Sequence, residues 1–209
     1  MAVAFNVSDT RQTVAGNTVS FAYSCSAGSN RLLLSQTRSS AVSVSSGTYA
    51  GAALTNVGSV GGIIMWRKIA PATGSNTLAF TLSSYGRTHA STSDWTGVDQ
   101  TTPLGTAVTA TGTSVTPATA SVTCPTDGAI FGGEYSAYTT AGAPTAGAGT
   151  TLEGAEREGA GGTTKAGGRR STTGTISFSI ASSAAWEAQA FPIYPVASPR
   201  LGDMNFMGI

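Results

Sequence analysis

Charge is what this chain has least of. Charged residues fill 10% of its 209 positions, against roughly 25% in an ordinary soluble chain. The 11 Lys and Arg nearly cancel the 10 Asp and Glu, leaving +1, a balance too small to hold a phosphate backbone by counterion release, so nucleic acid is not expected as a partner. Cysteine is scarce too. Cys25 and Cys124 cannot build a disulfide framework, neither sits in a CxxC pair, and each is expected as a small buried apolar group. No apolar run approaches the roughly 20 residues that span a bilayer, so no membrane is expected as a partner. Met1–Arg11 has neither a basic stretch nor a long apolar stretch of the signal-peptide kind, and the expectation is a chain that stays in the cytoplasm where it is made.

The means of catalysis are equally thin. His89 is the single histidine; no GxSxG elbow or papain-like cysteine context accompanies it, so it reads as a strand or loop imidazole. Asp94, Asp99, Glu134, Glu153 and Glu187 have no spacing that pairs two of them for glycoside hydrolysis. Asp94 and Asp99 lack the DxDxDG run of a calcium loop, and Asp99-Gln100 reads as a turn capped by its own side chains. Gly132-Gly133 and Gly161-Gly162 build no phosphate cradle. No catalytic residue, metal or cofactor is expected, and the chain does not read as an enzyme.

What the chain does have is small polar residues, turns and alternation. Its 27 glycines and 8 prolines fall between apolar runs, and 40% hydrophobic residues suffice for a core. Asn17–Ser24 alternates, with Val19, Phe21 and Tyr23 on one face, which means strand. Arg31–Thr37, built on the apolar run Leu32–Leu34, reads as a central strand buried on both faces. Thr48–Gly58 reads as strand, turn and strand pivoting on Gly51, Ile63–Ile69 as a strand stopped by Pro71, and Asn76–Ser83 as an alternating strand. Asp94–Gly105 is the corner on which the chain turns through Gly97 and Pro103 from one set of strands to the next. Beyond it, strands are expected at Thr106–Gly112, Thr119–Cys124, Ala129–Tyr135, Thr175–Ile180 and around Trp186. Pro125–Gly128 is expected as a turn in which Asp127 caps the bend and Gly128 takes positive φ. Leu152–Arg170, with seven charges among six glycines, reads as a solvated hairpin, with a partner-contacting loop as the alternative. Trp66, Trp95 and Trp186 lie in strand patterns and read as core, with a sugar platform as the alternative.

Asn30–Leu34, Thr48–Thr55, Met65-Trp66-Arg67 followed by Ala70–Gly74, and Trp95–Leu104 together resemble a diffuse family of jelly-roll domains related to concanavalin-like sandwiches. Such domains recur in phage structural proteins and large bacterial surface proteins. The resemblance spans about Asn17 to Val196, and Ser182–Phe191 fits the late Trp-bearing strand that the family implies. Its motifs are turn and core residues, so it implies fold more sharply than function.

The expected fold is therefore all-β: an antiparallel β-sandwich of jelly-roll, concanavalin-like type over residues 1–196, with an extended C-terminal arm over 197–209. The arm carries Leu201, Met204, Phe206, Met207 and Ile209 in its last ten residues. So short a segment has no core of its own, and an exposed apolar cluster marks a contact, so these five are the expected partner-binding residues, with packing back on the chain's own sandwich as the alternative. The expected function is that of a non-enzymatic bacteriophage virion structural protein, a head decoration or a tail or head accessory protein assembled in the host cytoplasm. Its partners would be other virion proteins and copies of itself, a trimer being the expected closed oligomer. The alternative is a lectin-like receptor- or glycan-binding module of a tail or fibre, with a host surface glycan as partner and an exposed aromatic such as Tyr85, Tyr135 or Tyr138 as its mark.

Overall fold

The computed structural model describes residues 1–12, 16–39, 42–86, 88–137, 143–157 and 163–197. Among them the chain forms strands and no helix: β1 (Ala4–Gln12), β2 (Gly16–Cys25), β3 (Leu32–Ser39), β4 (Val44–Tyr49), β5 (Ala52–Ala53), β6 (Thr55–Val60), β7 (Ile63–Ile69), β8 (Gly74–Gly86), β9 (Thr88–Thr96), β10 (Val108–Ser114), β11 (Ala129–Ser136), β12 (Thr145–Ala146), β13 (Thr151–Arg157), β14 (Thr164–Arg170), β15 (Phe178–Ser179) and β16 (Ala184–Ile193). The arm residues Leu201, Met204, Phe206, Met207 and Ile209 lie outside the described residues, as does Tyr138.

The expected all-β antiparallel sandwich is present, and it is three sheets deep. The front sheet runs β2-β8-β4-β5, the central sheet β1-β9-β3-β7-β6, and the back sheet β10-β16-β11-β14-β13. Alternation along the central strands explains the stacking. Leu33, Trp66 and Ala90 point forward and pack with Val19, Tyr23, Tyr49, Leu78 and Phe80 of the front sheet. Leu32, Leu34, Met65 and Trp95 point backward and pack with Ala129, Phe131, Phe191 and Ile193 of the back sheet. A third core, of Val122, Ile130, Ala166, Ile176, Phe178 and Ala190, lies on the far side of the back sheet.

Division between sheets follows the chain. Residues before the corner build the front and central sheets, and residues after it build the back sheet. The corner itself ties the two halves. Val98 bridges Pro195, Leu104 bridges Ile193, and the Asp99 N–H donates to the Tyr194 carbonyl at 2.9 Å. Gly97 has φ of 72°, and a Cβ there would lie 2.3 Å from the Ala2 carbonyl oxygen, so only glycine fits this turn. Asp99 caps it as expected, its Oδ1 accepting from the N–H of Thr101 at 2.7 Å and of Thr102 at 2.9 Å.

Three expectations need correction. Thr119–Cys124 and Thr175–Ile180 are not regular strands flanking a sheet. The stretches 115–122 and 174–180 run together through bonds such as Thr119 N–H to Ile176 C=O and Val122 N–H to Gly174 C=O, both 3.0 Å, with isolated bridges only and the two-residue β15. In the 125–128 turn, Asp127 itself takes positive φ, 58°. Gly128 is needed instead for close approach, since a Cβ there would lie 2.6 Å from the Ile193 carbonyl oxygen. Finally, Leu152–Arg170 is no solvated hairpin: its described residues include β13 and β14 of the back sheet, with Lys165 1% and Ala166 0% exposed. Small residues that read as loop are what a strand needs where another layer presses close: a Cβ on Gly167 would meet Ser91 at 3.2 Å.

Candidate functional site

The chemistry-bearing side chains gather in one place, a polar seam between the central and back sheets. It begins where the apolar back-facing core ends. Along β3 the back-facing positions run Leu32, Leu34, Gln36, Arg38, and the register sets Gln36 beside Ser91 and Arg38 beside His89. On the back sheet Tyr135 lies between Lys165 and Glu187, while Gln189 and Gly167 flank Gly133. The layers interlock at Gly133, where a Cβ would lie 2.2 Å from Gln36 Oε1 and 2.4 Å from the Ala166 carbonyl oxygen.

Ion pairs cross or border this seam. His89 Nδ1 is 3.3 Å from Glu156 Oε2. Arg38 stacks its guanidinium 3.9 Å above the Tyr135 ring and stands 4.0 Å from Glu187, whose Oε2 accepts from the Gly62 N–H at 3.0 Å. Arg169 pairs with Glu153, and Glu153 Oε2 accepts from the Ser8 hydroxyl at 3.0 Å. Between these pairs, Gln36 and Gln189 are 0% and Lys165 is 1% exposed, and the side-chain amides of both and the Lys165 ammonium have no hydrogen-bond partner among the described residues.

Burial moves two titrations. The Lys165 amine is pushed down from 10.5 to about 7 by desolvation, against the opposing pull of Glu156 and Glu134. Glu134, on the opposite face of β11, is pushed up from 4.5 to about 8 by desolvation, against its bond from Ser136 and the charge of Lys165; the Ser136 hydroxyl donates to it at 2.5 Å. The signs of the two effects on stability are opposite. Between pH 4.5 and 8 the folded state keeps a proton on Glu134 that the unfolded chain releases, so stability falls as pH rises. Between pH 7 and 10.5 the unfolded chain holds a proton that folded Lys165 has lost, so stability climbs. A trough between pH 7 and 8 is the expected result in denaturant titrations across pH. Glu134→Gln should flatten its acid side and Lys165→Met its alkaline side; a wild-type curve with its maximum there would refute the pair of assignments.

The other residues singled out by sequence are scattered and occupied. Asp94, 1% exposed, faces the front sheet and accepts from Asn6 Nδ2 at 3.1 Å, Tyr23 OH at 3.1 Å and the Ser26 N–H at 3.0 Å. Trp66 and Trp95 are interior, as expected for core, and Trp186 is half-buried with its Nε1 donating to Ser114 Oγ at 2.9 Å. Tyr135 is buried and Tyr85 exposed. Cys25 is buried as expected and Cys124 half-buried; both are free thiols. Desolvation pushes both thiols up, Cys25 to about 11, which makes them poor nucleophiles. Among the described residues no His, Cys, Asp and Glu cluster is fit to hold a metal. A surface cleft of about 360 Å³ opens between β1 of the central sheet and β2 of the front sheet, lined by Val7, Ser8, Asp9, Ala22, Tyr23 and Ser24.

His89 with Glu156 is a base oriented by an acid, and Ser91 follows two residues on along the same face. His89 and Ser91 are 2% and 3% exposed, however, between two sheets that a substrate would have to part. What the arrangement does chemically is hold layers together. Reading the sequence did not find the seam. Its one available signal was Gln36, a polar residue inside a run otherwise suited to burial on both faces.

Compared with family models, with curated proteins and with solved structures, the chain matches none.

Proposed function

We propose that this chain is a non-enzymatic structural protein of a bacteriophage virion, an accessory or decoration subunit of head or tail. The observation that carries the reading is the use made of its reactive side chains. Asp94 joins one layer to the next and Asp99 closes a turn, while Glu153 through Ser8, Glu187 through Gly62 and Arg38, and Arg169 through the Phe5 ring each join the back sheet to the central one. Such a protein contributes shape and surface. The jelly-roll resemblance over Asn17 to Val196 supplies the setting, and the apolar residues Leu201, Met204, Phe206, Met207 and Ile209 supply the contact to neighbouring virion subunits.

The test is incorporation. A Phe206→Ser, Met207→Ser chain should unfold at the same temperature as the parent yet be recovered in purified particles at least about tenfold less, the scale on which interface anchors act. Undiminished recovery would count against the arm as the contact. Failure to detect even the parent chain by mass spectrometry of purified particles would end the virion reading.

One observation favours the second reading, a glycan-binding module of a tail or fibre: Tyr85 is 71% exposed near the end of β8, as a stacking platform for a sugar requires. A glycan array on which the parent binds and Tyr85→Ala does not would establish it over the first.

A further inference from the structure

Every open sheet has two edges, and a free edge is a row of unpaired N–H and C=O groups that can bind another strand. Proteins blunt such edges with bulges, charge or shortness, and this one does so at nearly every edge it has. Register breaks at Phe5/Val7 in β1, Gly16/Thr18 in β2, Asn56/Gly58 in β6 and Leu152/Gly154 in β13. The front sheet's other edge, β5, is two residues long.

β10 is treated differently. It is an edge of the back sheet, and its register with β16 runs unbroken from Val108 opposite Ala190 to Ser114 opposite Ala184. Its sequence, Val-Thr-Ala-Thr-Gly-Thr-Ser, carries no charge and no proline. Thr109, Thr111 and Thr113 are exposed, and Val115, the next residue but one, is 45% exposed. Among the described residues nothing pairs with its outer side.

The pattern of this strand matches itself. Turned about a two-fold axis through Thr111, one β10 sets Thr109 opposite Thr113 of the other copy and Thr111 opposite Thr111, an unbroken row of Thr pairs, which are favourable cross-strand neighbours. On the other face Ala110 meets Gly112 and Val108 meets Ser114, so β10 itself sets no bulky pair across the axis; the Trp186 indole that lies over Gly112 and bonds Ser114 belongs to β16 behind it. An uncharged strand brings no like charges together at the axis. We infer that β10 is a homodimer interface, two copies pairing antiparallel at this edge so that their back sheets become one continuous sheet. The inference stands on the free chain alone and does not depend on a place in any particle.

Sedimentation and light scattering of the full chain should give twice the chain mass. Thr109→Glu, Thr113→Glu sets carboxylates against each other across the axis and should weaken the dimer at least about tenfold, with an unfolding temperature read on the monomer as the control. Thr111→Cys should form an oxidised dimer well above the parent, whose Cys25 and Cys124 remain in place. Thr109→Cys should not, because its two copies would sit about 14 Å apart, four residues along paired strands. A chain that stays monomeric overturns the inference. So does a trimer, since pairing about a two-fold closes at two, and so does a dimer that is indifferent to the glutamates and gives no crosslink with Thr111→Cys.

Discussion

Trp95→Ala is expected to cost about 3–5 kcal/mol of stability, the range for deleting a fully buried large aromatic, and to lower the unfolding temperature by roughly 6–20 °C for a chain of this size. Trp95 is 1% exposed and sits where the central and back sheets meet. Its ring takes Phe5 edge-on at 5.3 Å and Phe131 at 6.0 Å, and its Nε1 donates to Ser93 Oγ at 2.9 Å. Alanine removes the contact shared by β1, β9 and β11 and leaves a hole that stiff neighbouring strands close poorly. Trp95→Phe should recover part of the loss, since it restores most of the volume and leaves only Ser93 without its bond. Equilibrium unfolding in urea reads both. A loss under about 1 kcal/mol for alanine, within the range of surface substitutions, would mean that the two sheets do not rest on this ring.

Asp94→Ala, one residue earlier, is expected to cost about 2–4 kcal/mol by a different route. Successive side chains of a strand face opposite ways, so Asp94 serves the other interlayer. It joins β9 to Asn6 of β1, to Tyr23 of β2 and to the backbone of Ser26. Removing the carboxylate strands the Ser26 N–H, while Tyr23 keeps the Val7 carbonyl at 3.0 Å as an acceptor. Burial, followed by the Asp94 charge, holds the Tyr23 phenol far above its ordinary titration, so Tyr23 keeps the proton it donates at any working pH. Asp94→Asn should cost nearly as much as alanine, because its amide brings donors to a site already filled with donors. A double-mutant cycle with Tyr23→Phe isolates the shared bond. Additive losses would show that the Tyr23–Asp94 bond contributes nothing.

The same two residues show how much of the molecule was legible beforehand. The stretch Asp94–Gly105 reads as a corner because glycine, proline and Asx chemistry are local, and the capped Asp99 turn is found where expected. Ile63–Ile69 reads correctly to the residue because a run of large apolar side chains has one good explanation. β9 is harder. Its Thr-His-Ala-Ser-Thr-Ser lacks large apolar groups, yet Thr88 to Trp95 is wholly buried. A small hydroxyl is acceptable inside when a neighbour across the ladder bonds it, as Ser35 and Thr92 do at 2.9 Å, and that neighbour lies 57 residues away. β13 and β14 misread for a related reason. Charge and glycine signal a loop when the chain is considered alone, and Glu153, Glu156 and Lys165 gain their surroundings only when another sheet is laid over them. The seam was illegible because pairings such as Ser8 with Glu153 and Gly62 with Glu187 join residues 145 and 125 positions apart.

The middle position of the central sheet has a consequence for how the molecule comes into being. A ribosome delivers the first ninety-odd residues, enough for the front and central sheets, well before the back sheet is finished at Ile193. At about 5–20 residues per second, Leu32, Leu34, Met65 and Trp95 wait several seconds or more with their greasy side turned to water. The nascent half-molecule is thus born adhesive, and the later strands act as its lid.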